Sequence, residues 1–226
     1  MSDLSIFELR QYTLLGGERE TLIDLFERAF IESQNACGMT VLGRYRDEED
    51  PDRFVWMRGF SDMEARRQAL SAFYGGPVWN EHGAAANATM RDSDNVLLLR
   101  PAAGGQGLGM ALSARPPLMR ITIHDLASVG AADFNAFFEA VMVPLVAASG
   151  GEVVAALATA EVENSFPRLP VRGDRVFAWI AFFDGVDEER SFTQRLNVQS
   201  GWRDDIPENL FPALARKPEV LRLTAL

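Results

Sequence analysis

Residues 53–60 read Arg53-Phe54-Val55-Trp56-Met57-Arg58-Gly59-Phe60, and residues 176–183 read Val176-Phe177-Ala178-Trp179-Ile180-Ala181-Phe182-Phe183. Phe54, Trp56 and Phe60 recur as Phe177, Trp179 and Phe183, each 123 positions later. Trp79 and Trp202, the remaining two tryptophans, keep the same offset. Recurrence of the rarest residue types at one spacing marks a diverged tandem repeat.

Outward from the Phe-x-Trp strand, the first copy opens with Ile6-Phe7-Glu8-Leu9-Arg10-Gln11-Tyr12, whose alternation predicts a strand. Phe7 and Leu9 are assigned to the face that helices cover, with Glu8, Arg10 and Tyr12 on the other. Leu22, Leu25, Phe26, Ala29 and Phe30 form the stripe of an amphipathic helix ending near Gly38. Met39 to Arg46 and Arg53 to Phe60 read as a hairpin around the acidic turn 47–52. Asp62 caps a helix that runs to about Phe73, and Gly75-Gly76-Pro77 breaks it before a second helix through about Ala88. Val96 to Arg100 closes the unit, giving the order β-α-β-β-α-β.

The second copy follows the same order. Met119, Ile121 and Ile123 match the first strand, and Phe134, Phe137, Phe138, Val141 and Met142 match the helix stripe, at an offset of 112. The later offset of 123 requires 11 extra residues, which fall in the hairpin running from Glu152 to Asp174. Loops absorb insertions at little cost. The domains are therefore 1–101, a Gly/Ala/Pro linker at 102–117, and 118–226.

The expected fold class is α+β, with two tandem ferredoxin-like repeats packed sheet to sheet as an intramolecular α+β barrel. A split βαβ motif covers one sheet face with helices, and a bare face carrying Phe54 and Trp56 is too apolar for water. Trp56 and Trp179 are accordingly placed inside the barrel, across a pseudo-two-fold axis.

Composition narrows the function classes. A formal net charge of −10 argues against duplex nucleic acid or an anionic bilayer as partner, because both need a basic surface. Cys37 is the single cysteine, which excludes an internal disulfide and a multi-thiolate zinc site and fits a reducing compartment. No amino-terminal segment resembles a secretory signal, no apolar run approaches the roughly 18 residues of a membrane span, and a cytoplasmic location is expected. Whether the chain forms a homo-oligomer stays open.

Four segments carry a family resemblance: Glu8-Leu9-Arg10-Gln11-Tyr12, Asp52 to Phe60, Phe73-Tyr74-Gly75-Gly76-Pro77-Val78-Trp79, and Asn87 to Leu99. Over roughly residues 4–101 the chain resembles the NIPSNAP family of the dimeric α+β barrel superfamily. The second half matches by repeat logic, retaining Phe177, Trp179 and Trp202 but placing Ala181 where Arg58 stands. The resemblance implies this fold, and a superfamily that includes cofactor-independent monooxygenases, isomerases and haem-handling proteins. Ligands there lie between sheet and helices or inside the barrel.

Glu8, Arg10 and Tyr12 on alternate strand positions can make one polar patch about 14 Å long. Near Trp56, such a patch suits an anionic aromatic compound, with Arg10 holding its charge and Tyr12 acting as a proton donor. The structural alternative pairs Glu8 and Arg10 with each other or with Arg58 as buried ions. His124 aligns with Tyr12 and is the second candidate for proton transfer; its alternative is a satisfied structural histidine. The expected pocket gathers Arg10, Tyr12, Trp56, Arg58 and His124, with Glu8 and Trp179 as further ligand contacts. No cofactor and no metal are expected, since His82 and His124 lie in no metal-ligand motif. The resemblance to haem-binding relatives makes His82, three residues after Trp79 on a helix, the candidate axial ligand; its alternative is a surface position.

The leading expectation is binding of a small hydrophobic or aromatic compound, with or without cofactor-independent chemistry. The competing readings are a non-catalytic scaffold with a packed barrel and a haem-handling protein.

Overall fold

The computed structural model describes residues 4–102, 116–127, 129–206 and 217–226. Most of the expected linker and the stretch 207–216 lie outside these residues. The chain divides into two compact units. Unit 1 is Met1–Arg100 with Ala160–Arg172 and Leu226, and unit 2 is Pro101–Thr159 with Gly173–Ala225.

Unit 1 holds β1 (Ile6–Leu14), α1 (Arg19–Leu25), a π turn (Phe26–Phe30) leading into α2 (Ile31–Ala36), β2 (Thr40–Asp47), β3 (Arg53–Phe60), α3 (Met63–Tyr74), α4 (Pro77–Ala88), a short β4 (Met90–Asp92) and β5 (Val96–Pro101). Its sheet runs β2-β3-β1-β5, antiparallel throughout, with β4 at the far end of β1. Asp62 caps α3 by accepting from the Ala65 amide at 2.7 Å. Pro77 begins α4, where its missing N–H costs nothing.

Unit 2 holds β6 (Leu118–Asp125), α5 (Ala131–Phe137), a π turn (Phe138–Met142) leading into α6 (Val143–Ala148), β7 (Val153–Thr159), β8 (Val176–Phe183), α7 (Val186–Val198), a π turn (Gly201–Asp205) and β9 (Glu219–Ala225). Its antiparallel sheet runs β7-β8-β6-β9. The first π turn of each unit begins on a phenylalanine 112 positions from the other, and each phenylalanine packs on its own unit's Trp.

One expectation is reversed. The helices cover the face of β1 that carries Ile6, Glu8, Arg10, Tyr12 and Leu14, and Phe7, Leu9, Val55, Met57, Leu97 and Leu99 occupy the face without helices. Register places Arg10 beside Trp56 and Tyr12 beside Phe54, and Phe26 meets Trp56 at 4.8 Å and Phe54 at 5.4 Å, both edge to face. Leu118, Arg120, Thr122 and His124 likewise share the helix side of unit 2 with Phe177 and Trp179. The assignment failed because β1 and β6 are buried on both faces. Alternation sorts residues into two sets; it does not say which set meets the helices.

The helical stretch Ala131–Ala148 has mean hydropathy 1.4 over 18 residues and by length and composition is long enough to cross a membrane. Its stripe of Phe134, Phe138, Met142 and Val146 is buried in unit 2's core.

Candidate functional site

The polar residues of β1 fall between the sheet and the helices of unit 1. Glu8 Oε2 accepts from Arg10 Nη1 at 2.7 Å and Arg58 Nε at 2.8 Å, while Oε1 accepts from Arg66 Nε at 2.7 Å. Each element contributes one partner: β1, β3 and α3. Arg58 also donates to Gln34 of α2 at 2.9 Å. All four ions are at most 1% exposed. Burial alone raises the Glu8 pKa, but Arg58, Arg10 and Arg66 outweigh it and hold the carboxyl well below the usual range. The cluster sets three guanidinium groups against one carboxylate, a formal excess of two positive charges.

Arg10 carries that excess to a cavity. Its Nε donates to the Tyr12 hydroxyl oxygen at 3.0 Å and its Nη1 to Glu8; its Nη2 has no partner within unit 1's network. Tyr12 accepts through oxygen, so its own proton remains to donate. Burial raises the Tyr12 pKa more than Arg10 lowers it, which keeps the phenol protonated near neutral pH. Both side chains line a cavity of about 270 Å³, walled also by Tyr74, Trp79, Asn87, Met90, Ser93, Asp94, Phe166, Arg168, Leu169 and Pro170. A smaller, mainly apolar void of about 30 Å³ shares Tyr12, Tyr74, Trp79 and Met90 with it and reaches Trp56, whose buried indole N–H has no partner.

Local sequence explains the walls. Gly83 lies one helical turn beyond Trp79, and a Cβ there would come within 2.7 Å of the indole, so glycine lets the ring lie flat on α4. Tyr74 meets Trp79 edge-on at 4.7 Å and stacks with Phe166 at 5.9 Å and 26°. Phe166 belongs to the extra residues of the second hairpin, which are stapled onto unit 1. Arg66 Nη1 donates to Asn164 at 2.9 Å and to Ser165 at 3.2 Å, the Ser165 hydroxyl donates to the Met63 carbonyl, and the Arg172 amide donates to the Val96 carbonyl.

Of the predicted site residues, Arg10 and Tyr12 line the larger cavity and Trp56 the smaller void. Glu8 and Arg58 are buried behind them as counter-ions, the structural alternative foreseen for this strand. His124 and Trp179 belong to unit 2. There the Trp179 indole donates to His124 Nε2 at 3.3 Å, and Phe134 packs on the imidazole at 5.1 Å. Burial, helped by Arg120, lowers the His124 pKa to about 3, so it is uncharged near neutral pH. Glu189, which pairs with Arg120 and Arg222, occupies the place in unit 2 that a charged strand demands. His82 is half-buried beside Phe30 at 6.5 Å. Among the described residues no group of His, Cys, Asp and Glu could hold a metal.

Sequence reasoning passed over Tyr74, Phe166 and Arg168. Tyr74 lies within the Phe73–Trp79 segment that carries the family resemblance. The other two had only the 11-residue excess as a signal.

A family model described as NIPSNAP matches residues 7–103. No curated protein matches the chain. In fold, the chain is similar to an anthrone oxidase-like protein, with a TM-score of 0.60 at 10% identity, covering 99% of this chain and 92% of that one. It is similar as well to a protein provisionally named a monooxygenase from Lactobacillus acidophilus NCFM, with a TM-score of 0.56 at 15% identity over 99% and 94% of the two chains. A Fusobacterium nucleatum protein of the same provisional name gives 0.55 at 10% identity over 100% and 94%. At these identities the likeness establishes a shared mixed α+β fold.

Proposed function

We propose that the NIPSNAP domain at residues 7–103, completed by residues 160–172, binds a small aromatic compound bearing an acidic or carbonyl oxygen. The carrying observation is the uncompensated charge of the Glu8–Arg10–Arg58–Arg66 cluster, presented to an aromatic-walled cavity by Arg10. An oxygen placed there accepts from Arg10 Nη2 and from the Tyr12 hydroxyl, neither of which donates to an acceptor among the described residues. Charge-assisted bonds of this kind are about twice as strong as neutral ones. Tyr74, Trp79 and Phe166 supply faces and edges for the ring.

If chemistry follows binding, Arg10 and Tyr12 stabilise negative charge on the bound oxygen and Tyr12 is the proton donor, a role that His124 is less suited to because its cation is suppressed. Three neighbours in fold carry the names of oxidising enzymes, two of a monooxygenase and one of an anthrone oxidase-like protein, which is consistent with activation of a phenol or enol as its anion. The finer architecture, two ferredoxin-like repeats derived by duplication, is supported by the matching element order of the two units.

The test is binding of a panel of one- to three-ring phenols and enolisable ketones, anthrone included, to the full chain by calorimetry. Arg10→Met should lower affinity at least tenfold, with a change in thermal stability of under about 1 kcal/mol, because methionine replaces the stem and Glu8 keeps two partners. Unchanged affinity in that variant would leave the scaffold reading in its place.

A further inference from the structure

The two ends of the cavity differ in kind. At the inner end Arg10 is buried and has committed Nε and Nη1, so it offers one nitrogen, Nη2, alongside one hydroxyl from Tyr12. That pair of donors suits a single oxygen atom. At the outer end Arg168 is exposed, lines the cavity, and makes no hydrogen bond or ion pair among the described residues. Its guanidinium carbon sits 5.9 Å over the Phe166 ring. Its planar fork is therefore whole, held near an aromatic face, and matched to the two oxygens of a carboxylate. Asp94, also exposed in the lining, repels a carboxylate, so Arg168 is the group that can hold one there.

Between the ends lie Tyr74, Trp79 and Phe166. The Tyr74 and Phe166 rings are close to parallel, so the slot between inner and outer donors has a flat apolar wall. Phe166 and Arg168 both come from the extra residues of the second hairpin. Asn164 holds that loop in shape, its Oδ1 accepting from the Phe166 amide at 3.1 Å and its Nδ2 donating to the Leu169 carbonyl at 2.9 Å.

Resting on the cavity proposed above, we infer that Arg168 is a specificity-determining residue and that the ligand class is a hydroxyaromatic carboxylate. The phenolic oxygen enters first, to Arg10 Nη2 and the Tyr12 hydroxyl. The ring lies along Tyr74 and Phe166. The carboxylate stays at the mouth on the Arg168 fork, where little desolvation is required. The reverse orientation wastes the fork and buries a carboxylate against one free nitrogen.

The experiment uses the full chain and three probes, para-hydroxybenzoate, phenol and benzoate, with affinities from calorimetry or ligand-observed magnetic resonance. Wild type should prefer para-hydroxybenzoate over both others. Arg168→Gln should weaken para-hydroxybenzoate and benzoate about five- to tenfold and leave phenol within twofold. Arg168→Lys should recover part of the loss, since it restores charge without the fork. Raising salt should weaken para-hydroxybenzoate and spare phenol. Arg168 is exposed, so the variants keep the fold. Equal affinity of wild type and Arg168→Gln for para-hydroxybenzoate overturns this inference; if Arg10→Met still abolishes binding, the cavity reading survives it. Probes that ignore Arg10→Met, or that do not bind at all, overturn both.

Discussion

Arg66 on α3 and Glu8 on β1 are joined by a 2.7 Å bond between Nε and Oε1, with both side chains fully buried. The contact ties a helix to the first strand, and through Asn164 it also ties down the loop that walls the cavity. Removing the carboxylate leaves three buried guanidinium groups without their shared counter-ion. Glu8→Gln should cost about 3–5 kcal/mol in denaturant unfolding. A loss below about 1 kcal/mol would mean that solvent or another group already compensates the arginines.

His124 predicts a particular response to acid. Its folded-state pKa lies at about 3 against an ordinary 6.5, so the unfolded chain takes up the proton first. Stability should therefore fall as pH drops from 6.5 towards 3, with a limiting slope of about 1.4 kcal/mol per unit inside that window. Glu8, with its depressed pKa, adds to the loss only below its ordinary value of 4.5. Between pH 6.5 and 4.5 the variant His124→Gln should show a flatter stability curve than wild type. Parallel curves would show that the imidazole is solvated.

Residues 1–101 expressed alone should self-associate or aggregate. The face bearing Phe7, Leu9, Val55, Met57, Leu97 and Leu99 has no helix over it, and the fragment also lacks Phe166 against Tyr74 and Asn164 against Arg66. A well-folded monomer by light scattering is the contrary result.

Chelator should leave thermal stability unchanged, because a structural metal contributes its binding energy to folding and its removal lowers the melting temperature. A Soret band abolished by His82→Ala would instead establish haem binding at α4.

Much of the local structure was legible in the chain itself. The boundaries of β3, the Asp62 cap, the Pro77 start of α4 and the stripes of both long helices follow from propensities and spacings that act within a few residues. The pairing of Glu8 with arginines was readable as a likelihood of chemistry, since a buried carboxylate requires a counter-ion. Arg66 as one of those partners was not, because α3 presents it across the core from a strand 58 positions earlier.

What the sequence by itself determined is the content of each strand face, the order of elements and the repeated Phe-x-Trp pattern. Each comes from short-range geometry: a period of 2.0 along strands and 3.6 along helices. What only the tertiary structure decided is which face meets the helices and what encloses the cavity. Both faces of β1 are buried, so polarity along the strand cannot choose between them. Phe166 and Arg168 come to the cavity lined by Tyr74 and Arg10 only because a loop from the second hairpin is fastened to α3 and to Asn95, just before β5, by bonds spanning 77 to 102 positions. Such contacts are set by the packing of whole elements, and no spacing within either segment encodes them.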